Sequence, residues 1–416
     1  MGSVLIVLSK RTNLVLSVLV AVGLVLAACG GGGAQAGGAI KVVSDLPMTG
    51  SSLGQTQTIV NAITQAFEEK GNKVCGGKYT IEYQAYDDAS AALGKWDPDV
   101  VTQNAKTYAT DTSIVAVIGT FNSGAAQLMI PILNAVNLAM ISPANTYPGL
   151  TKPGKGEANE PDVYYPNGTR NYSRVVPADD LQGAVAAQWA KDLGAATVYV
   201  LDDQELDGKG VADVFDKVAQ ELGLRVLGRE GIDGKAADYR ALAAKIKQAN
   251  PDLIYFGGIT QNNAGQLVKD IRNVGYEGKF MGSDGIFEEA FLEAAGEAAD
   301  GVYVTFGGIP PNELQGKAAD WREAYKAKFG SNPEVYTVYG YVAAAVLVDA
   351  FERVCAGGGS PTNRKAVRDA VFATKDFDSI LGKFSIDANG DTTITAMSGA
   401  QVRSGKFKFV TLLGGQ

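Results

Sequence analysis

Histidine is missing from all 416 residues. Its absence removes Ser-His-Asp and Cys-His nucleophile systems, His-containing zinc sites and the usual general base near neutral pH. Carboxylate, lysine or tyrosine catalysis stays open, but the case for an enzyme weakens. No GxxxxGK[ST] stretch occurs, so the chain is not a P-loop nucleotide binder. The glycines between Gly30 and Gly38 come before the first predicted strand and are no dinucleotide fingerprint. No cofactor and no metal is expected. Asp387-Ala-Asn-Gly-Asp391 opens like a calcium loop but lacks the remaining ligand positions and flanking helices, and reads as a β-turn. Basic charge is also short. The 37 Lys and Arg against 45 Asp and Glu leave a net −8, which argues against nucleic acid and otherwise serves solubility.

A membrane-length apolar run is lacking too. Lys10 and Arg11 precede Leu14 to Leu26, 13 uncharged residues, against the roughly 20 that a spanning helix needs. A basic flank, a short apolar segment and small residues after it describe an export signal. It closes on Leu26-Ala27-Ala28-Cys29, which resembles a bacterial lipobox, with small residues before the cut and a cysteine whose sulfur takes diacylglycerol. Residues 1–28 are therefore expected to be a lipoprotein signal peptide and Cys29 the lipid attachment. Residues 29–39, rich in glycine, are expected to be a flexible tether. This places the folded part outside the cytoplasm, anchored at the membrane surface. Only Cys75 and Cys355 remain. An even pair in an exported chain suggests a disulfide, with two separate thiols as the alternative.

The rest is long enough for two domains, and 46% hydrophobic residues supply a core. Predicted strands are Ile40–Ser44, Tyr79–Tyr86, Ile114–Ile118, Leu138–Ile141, Thr197–Leu201, Leu224–Leu227, Leu253–Phe256 and Val302–Thr305. Between them lie helical patterns: Ile59, Ile63 and Phe67 share one face, as do Val211, Val214, Phe215 and Val218. Such alternation argues for an α/β fold with parallel sheets covered on both faces. Functional loops then lie beyond the C-terminal ends of the strands. Two blocks, Ile40–Asn145 and Arg174–Thr305, flank a loop-like stretch, Thr146–Asn171. Helical patterns follow at Glu313–Phe329, Tyr336–Val354 and Asn363–Ala373, then broken β-structure from Gly382 to Leu413. The chain is expected to return to the first block after the second.

Seven segments carry a family resemblance: Asp45-Leu-Pro-Met-Thr-Gly50, Ala116-Val-Ile-Gly-Thr-Phe-Asn-Ser-Gly124, Ile141-Ser-Pro-Ala-Asn-Thr146, Val176-Pro-Ala-Asp-Asp-Leu-Gln-Gly183, Tyr255-Phe-Gly-Gly258, Phe280-Met-Gly-Ser-Asp284 and Tyr336-Thr-Val-Tyr-Gly-Tyr341. In these pieces and their order, from about residue 40 to the end, the chain resembles the leucine/isoleucine/valine-binding proteins. The resemblance implies a type I periplasmic binding fold, with two doubly wound α/β lobes joined by three hinge crossings. Lobe 1 would comprise 40–174 and 307–384, and lobe 2 would comprise 175–306 and 385–416. It implies a monomer that captures an amino-acid-like ligand by cleft closure and delivers it to an ABC permease in the membrane. A ligand-sensing receptor acting through a partner protein, or a binder of another small polar or carboxylate ligand, is the alternative.

An amino-acid zwitterion needs donors for its carboxylate and acceptors for its ammonium, and a helix N-terminus supplies donors. Ser123 falls between a strand and a helix, where it reads as an N-cap; the resemblance makes it a carboxylate ligand. It likewise implies that Ala144 offers its carbonyl to the ammonium, that Thr146 offers N–H and hydroxyl to the carboxylate, with Asn145 in the same loop, and that Asp284 faces the ammonium from lobe 2. Three positions depart from the family pattern. Asp207 stands at a place often held by Tyr, Ile259 or Thr260 at a second aromatic place, and Leu53 at a third. Asp87-Asp88 reads as a strand-end turn at the cleft rim or surface.

Overall fold

The computed structural model describes residues 37–414. The expected signal segment, Cys29 and most of the glycine tether lie outside these residues.

Apolar, β-rich runs form the strands. In the first half these are β1 (Ala39–Leu46), β2 (Lys73–Val74), β3 (Tyr79–Asp87), a small hairpin of β4 (Ala89–Ser90) and β5 (Lys95–Trp96), then β6 (Ile114–Gly119), β7 (Ala139–Ser142) and β8 (Tyr172–Arg174). They build a six-stranded sheet in the order β2-β3-β1-β6-β7-β8, parallel except for β2. In the second half come β9 (Thr197–Asp202), β10 (Arg225–Gly231), β11 (Leu253–Gly257), β12 (Lys279–Gly282) and β13 (Tyr303–Phe306), then a hairpin of β14 (Phe377–Ser379) and β15 (Gly382–Phe384), and finally β16 (Met397–Arg403) and β17 (Lys406–Leu413). Here the sheet order is β10-β9-β11-β12-β13-β16-β17, with β16 and β17 antiparallel. Every residue of β6 and β11 is buried, as strands covered on both faces require. The patterning missed β8, Tyr-Ser-Arg, which has no apolar run, and β12, Lys-Phe-Met-Gly, in which only two neighbouring residues are apolar.

Helices cover the sheets: α1 (Leu53–Glu68), α2 (Pro98–Thr110), α3 (Ser123–Asn134), α4 (Asp179–Asp192), α5 (Leu206–Glu221), α6 (Arg240–Ala249), α7 (Ala264–Asn273), α8 (Glu289–Ala295), α9 (Lys317–Phe329), α10 (Thr337–Ala356) and α11 (Arg364–Phe372). Helix α10 buries residues around most of its circumference, as a helix packed on several sides does. It lies against α1 and α11 of the first lobe, although it follows the second lobe in sequence. The chain thus passes between the lobes three times, after β8, after β13 and after β15. At the third passage Asp387 accepts backbone hydrogen bonds from Asn389 and Asp391, forming a turn. Asp391 pairs with the fully buried Arg174 at 2.8 Å.

Cys75 and Cys355 form a disulfide that closes 280 residues and ties the turn after β2 to the last turn of α10. Among the described residues no helix is long and apolar enough to cross a membrane.

Candidate functional site

The loops after β1, β6 and β7 face those after β9, β11 and β12, all at C-terminal strand ends. They line a narrow cavity, with about 20 Å³ open to the centre of a water-sized sphere. From the first lobe come Gln55 in the first turn of α1, Phe121, Asn122 and Ser123 at the start of α3, and Ala144 and Thr146 after β7. The second lobe contributes Asp207 in the first turn of α5, Ile259 after β11, and Asp284, Gly285 and Glu288 after β12. Tyr336, just ahead of α10, completes the wall.

The first-lobe face is a set of polar loops locked to one another. The N-cap of α3 is Asn122, not Ser123; Ser123 is the first helical residue. The Asn122 side chain makes no capping bond, so the first-turn N–H groups and the positive end of the helix are presented towards the cavity. Ser123 Oγ accepts the Tyr147 N–H at 3.3 Å, leaving its own proton to donate. Ser142 Oγ donates to Thr120 O at 2.9 Å and accepts the N–H groups of Ala144 and Asn145. Asn145 donates to Phe121 O at 2.9 Å and accepts from Tyr172. Arg174 clamps the same loop by donating to the carbonyls of Asn145 and Tyr147. Phe121 and Tyr336 meet edge to face at 5.6 Å.

The second-lobe face is acidic. Asp203 holds the β11 loop by accepting the Ile259 N–H and the Asn262 amide, both at 2.9 Å. Burial lifts its carboxyl to about 6. Asp284 accepts from Gln182 Nε2 at 2.7 Å and from the Tyr336 hydroxyl across the cleft. Burial raises its pKa, while those two hydrogen bonds pull the other way. Glu288, 3% exposed, accepts from Gln261 at 2.9 Å and from Gln55 of the other lobe at 3.3 Å. Burial pushes it up to about 7. Asp207 is held well above the usual carboxylate range by burial and then by the like charges of Asp203, Glu205 and Asp284.

Of the nine residues picked out from the sequence, Ser123, Ala144, Thr146, Asp207, Ile259 and Asp284 line the cavity. Leu53 does not; it is 41% exposed at the start of α1, and Gln55, two residues on and about 200° round the helix, turns inwards instead. The Asn145 side chain points into the lobe and braces the loop. Thr260 begins a short 3-10 turn with its hydroxyl towards Gly285 O, which leaves Ile259 as the cavity residue of that pair. The reading of Asp87-Asp88 as a rim or surface turn is corrected: Asp88 is fully buried beside Asp45 and Asp87. Gln55, Phe121, Glu288 and Tyr336 were not picked out. Phe121 and Tyr336 lie within the resemblance segments, and Glu288 is four residues past Asp284, but nothing local marks Gln55.

The periplasmic binding protein family matches residues 39–406. Leu/Ile/Val-binding protein homolog 1 of Brucella abortus is 31% identical over 373 residues, covering 89% of this chain and 92% of the relative. The chain belongs to this family. A leucine-, isoleucine-, valine-, threonine- and alanine-binding protein of Pseudomonas aeruginosa is 26% identical over 85% of the chain and 87% of its own length. Both relatives are named as binding proteins. Among solved structures, the leucine-binding protein LivK of Thermotoga maritima superposes with a TM-score of 0.78 at 27% identity, covering 90% of this chain and 98% of that one. LivJ of Streptococcus pneumoniae in complex with isoleucine gives 0.75 at 22% identity, covering 89% and 99%; that likeness bears on the fold alone. Membership of the periplasmic binding protein family implies an extracytoplasmic location.

Proposed function

We propose that this protein is a lipid-anchored receptor that captures an amino acid by cleft closure and delivers it to an ABC importer. One observation carries the reading: Ser123, Ala144 and Thr146 of one lobe face Asp284 of the other across a single cavity. In this reading the ligand carboxylate lies at the N-terminus of α3, against the hydroxyls of Ser123 and Thr146. Its ammonium lies between the Ala144 carbonyl and Asp284. Neither lobe alone satisfies both ends of a zwitterion, so ligand stabilises the closed state, and a permease reads that state. Cys29 carries the lipid that keeps the receptor at the membrane.

The test is a thermal-shift screen of amino acids, amides and small carboxylates, in which a bound ligand raises the melting temperature by mass action. Asp284→Ala is expected to weaken the best amino-acid ligand more than tenfold in calorimetry, because a charge-assisted contact to the ammonium is lost. Unchanged affinity would reject the assignment of Asp284.

A further inference from the structure

We propose that the ligand carries a second cationic group, received among Asp207, Glu288 and the side-chain oxygen of Gln55, and is therefore a small basic amino acid. The proposal rests on the amino-acid reading above and adds the side chain to it.

Charge count comes first. Among the described residues, three carboxylates, Asp207, Asp284 and Glu288, line the cavity, and no Lys or Arg does. Asp179 stands beside them, 1% exposed, with neither carboxylate oxygen hydrogen-bonded and near enough to Asp284 and Asp207 for their charges to repel. Glu334, on the segment leading into α10, faces Glu288 and Glu289 in the same way. The nearby cations are already committed. Lys95 pairs with Glu205 and donates to Asn262, and Arg174 pairs with Asp391 while donating to the first-lobe loops. A zwitterion has no net charge. Its ammonium balances one carboxylate and its own carboxylate goes to the end of α3, so Asp207 and Glu288 remain uncompensated.

Gln55 gives an independent sign. It is 4% exposed and lines the cavity, and its Nε2 donates to Glu288. With the amide so oriented, Oε1 is left buried with no hydrogen-bond partner. A buried acceptor without a donor is costly, and a ligand ammonium or guanidinium supplies the missing donor. A leucine side chain would instead lay methyl groups against two carboxylates and an amide oxygen. A site built around such groups rejects an analogue lacking the polar partner by large factors. The cavity is narrow, with about 20 Å³ open to the centre of a water-sized sphere, which leaves room for no ligand larger than a single amino acid.

The experiment is calorimetry on the full-length chain in detergent with L-lysine, L-ornithine, L-arginine, L-leucine and L-glutamine. At least one basic amino acid is expected to bind about 100-fold tighter than leucine. Asp207→Asn and Glu288→Gln are each expected to weaken that ligand at least tenfold and to narrow its advantage over leucine, with the ligand-free melting temperature showing that each variant is folded. Leucine or glutamine binding more tightly than all three basic amino acids overturns the second cation and leaves the amino-acid reading standing. If no amino acid binds, both fall.

Discussion

At the scale of the residue, this protein hides carboxylates in places where water does not reach them. Asp45, at the end of β1, accepts from Asn104 at 2.9 Å and from Tyr108 at 3.1 Å, yet its second oxygen is buried without a partner. Burial, with the charge of Asp87 adding to it, raises its pKa from 3.8 to about 7. A folded-state value above the unfolded one means that the folded form holds the proton more tightly. The stability this confers is complete below about pH 4 and is lost as pH rises through about 7. Asp45→Asn keeps an acceptor for Asn104 and Tyr108 and removes the titration. The variant should gain on the wild type by roughly 2–4 kcal/mol more at pH 8 than at pH 4. Urea unfolding at the two pH values measures this, and an equal difference at both would show that Asp45 does not titrate in this range.

At the scale of the element, the disulfide and the strand-end loops do different work. Cys75 sits in a left-handed turn with φ +60, and its N–H donates to Glu352 Oε1 at 2.8 Å. The turn is thus held to the helix that carries Cys355. Bridging residues 280 apart confines a large part of the unfolded chain, and native disulfides contribute roughly 2–5 kcal/mol. The Cys75→Ser, Cys355→Ser double variant is expected to unfold at lower urea by an amount in that range. Reducing agent should shift the wild type by a similar amount and leave the variant where it is. The pair of cysteines left after Cys29, in a chain expected to be exported, pointed to a bridge; that the two residues meet depends on α10 returning to the first lobe. The strand-end loops were legible through the resemblance segments that carry Ser, Pro, Asn and Thr. Their bracing by Asn145 and Arg174 was not, since it joins the β7 loop to the β6 loop and to β8, which are distant in sequence.

At the scale of the molecule, direct contacts join the two lobes. Lys95 on the β4–β5 hairpin pairs with Glu205 and reaches Asn262, Lys152 pairs with Asp180 at 2.7 Å, and Gln55 meets Glu288. In the proposed closing mechanism these contacts break when the cleft opens, so each favours the closed form before any ligand does. Lys95 and Glu205 are partly exposed, which limits their pair to about 1 kcal/mol. Lys95→Met is therefore expected to weaken the ligand about three- to tenfold and to enlarge the ligand-free radius of gyration in small-angle scattering. Identical scattering from variant and wild type, with unaltered affinity, would remove Lys95 from the closing mechanism.

The sequence by itself determined the alternation of strand and helix and the exclusion of histidine chemistry, and its resemblance to a known family pointed to the loops that bear Ser123, Ala144, Thr146 and Asp284. The first two are local, a period and a missing side chain; the third rests on the order of short motifs along the chain. Only the tertiary structure decided which side chains share the cavity. Tyr336, just ahead of α10, and Gln55 in α1 reach it from parts of the chain far apart in sequence, and Leu53 turns away because two helical steps separate its direction from that of Gln55. Asp207, Asp284 and Glu288 acquire their electrostatic character when two lobes close over them. Burial and mutual repulsion are properties of the assembled cleft, and no segment of the chain carries them alone.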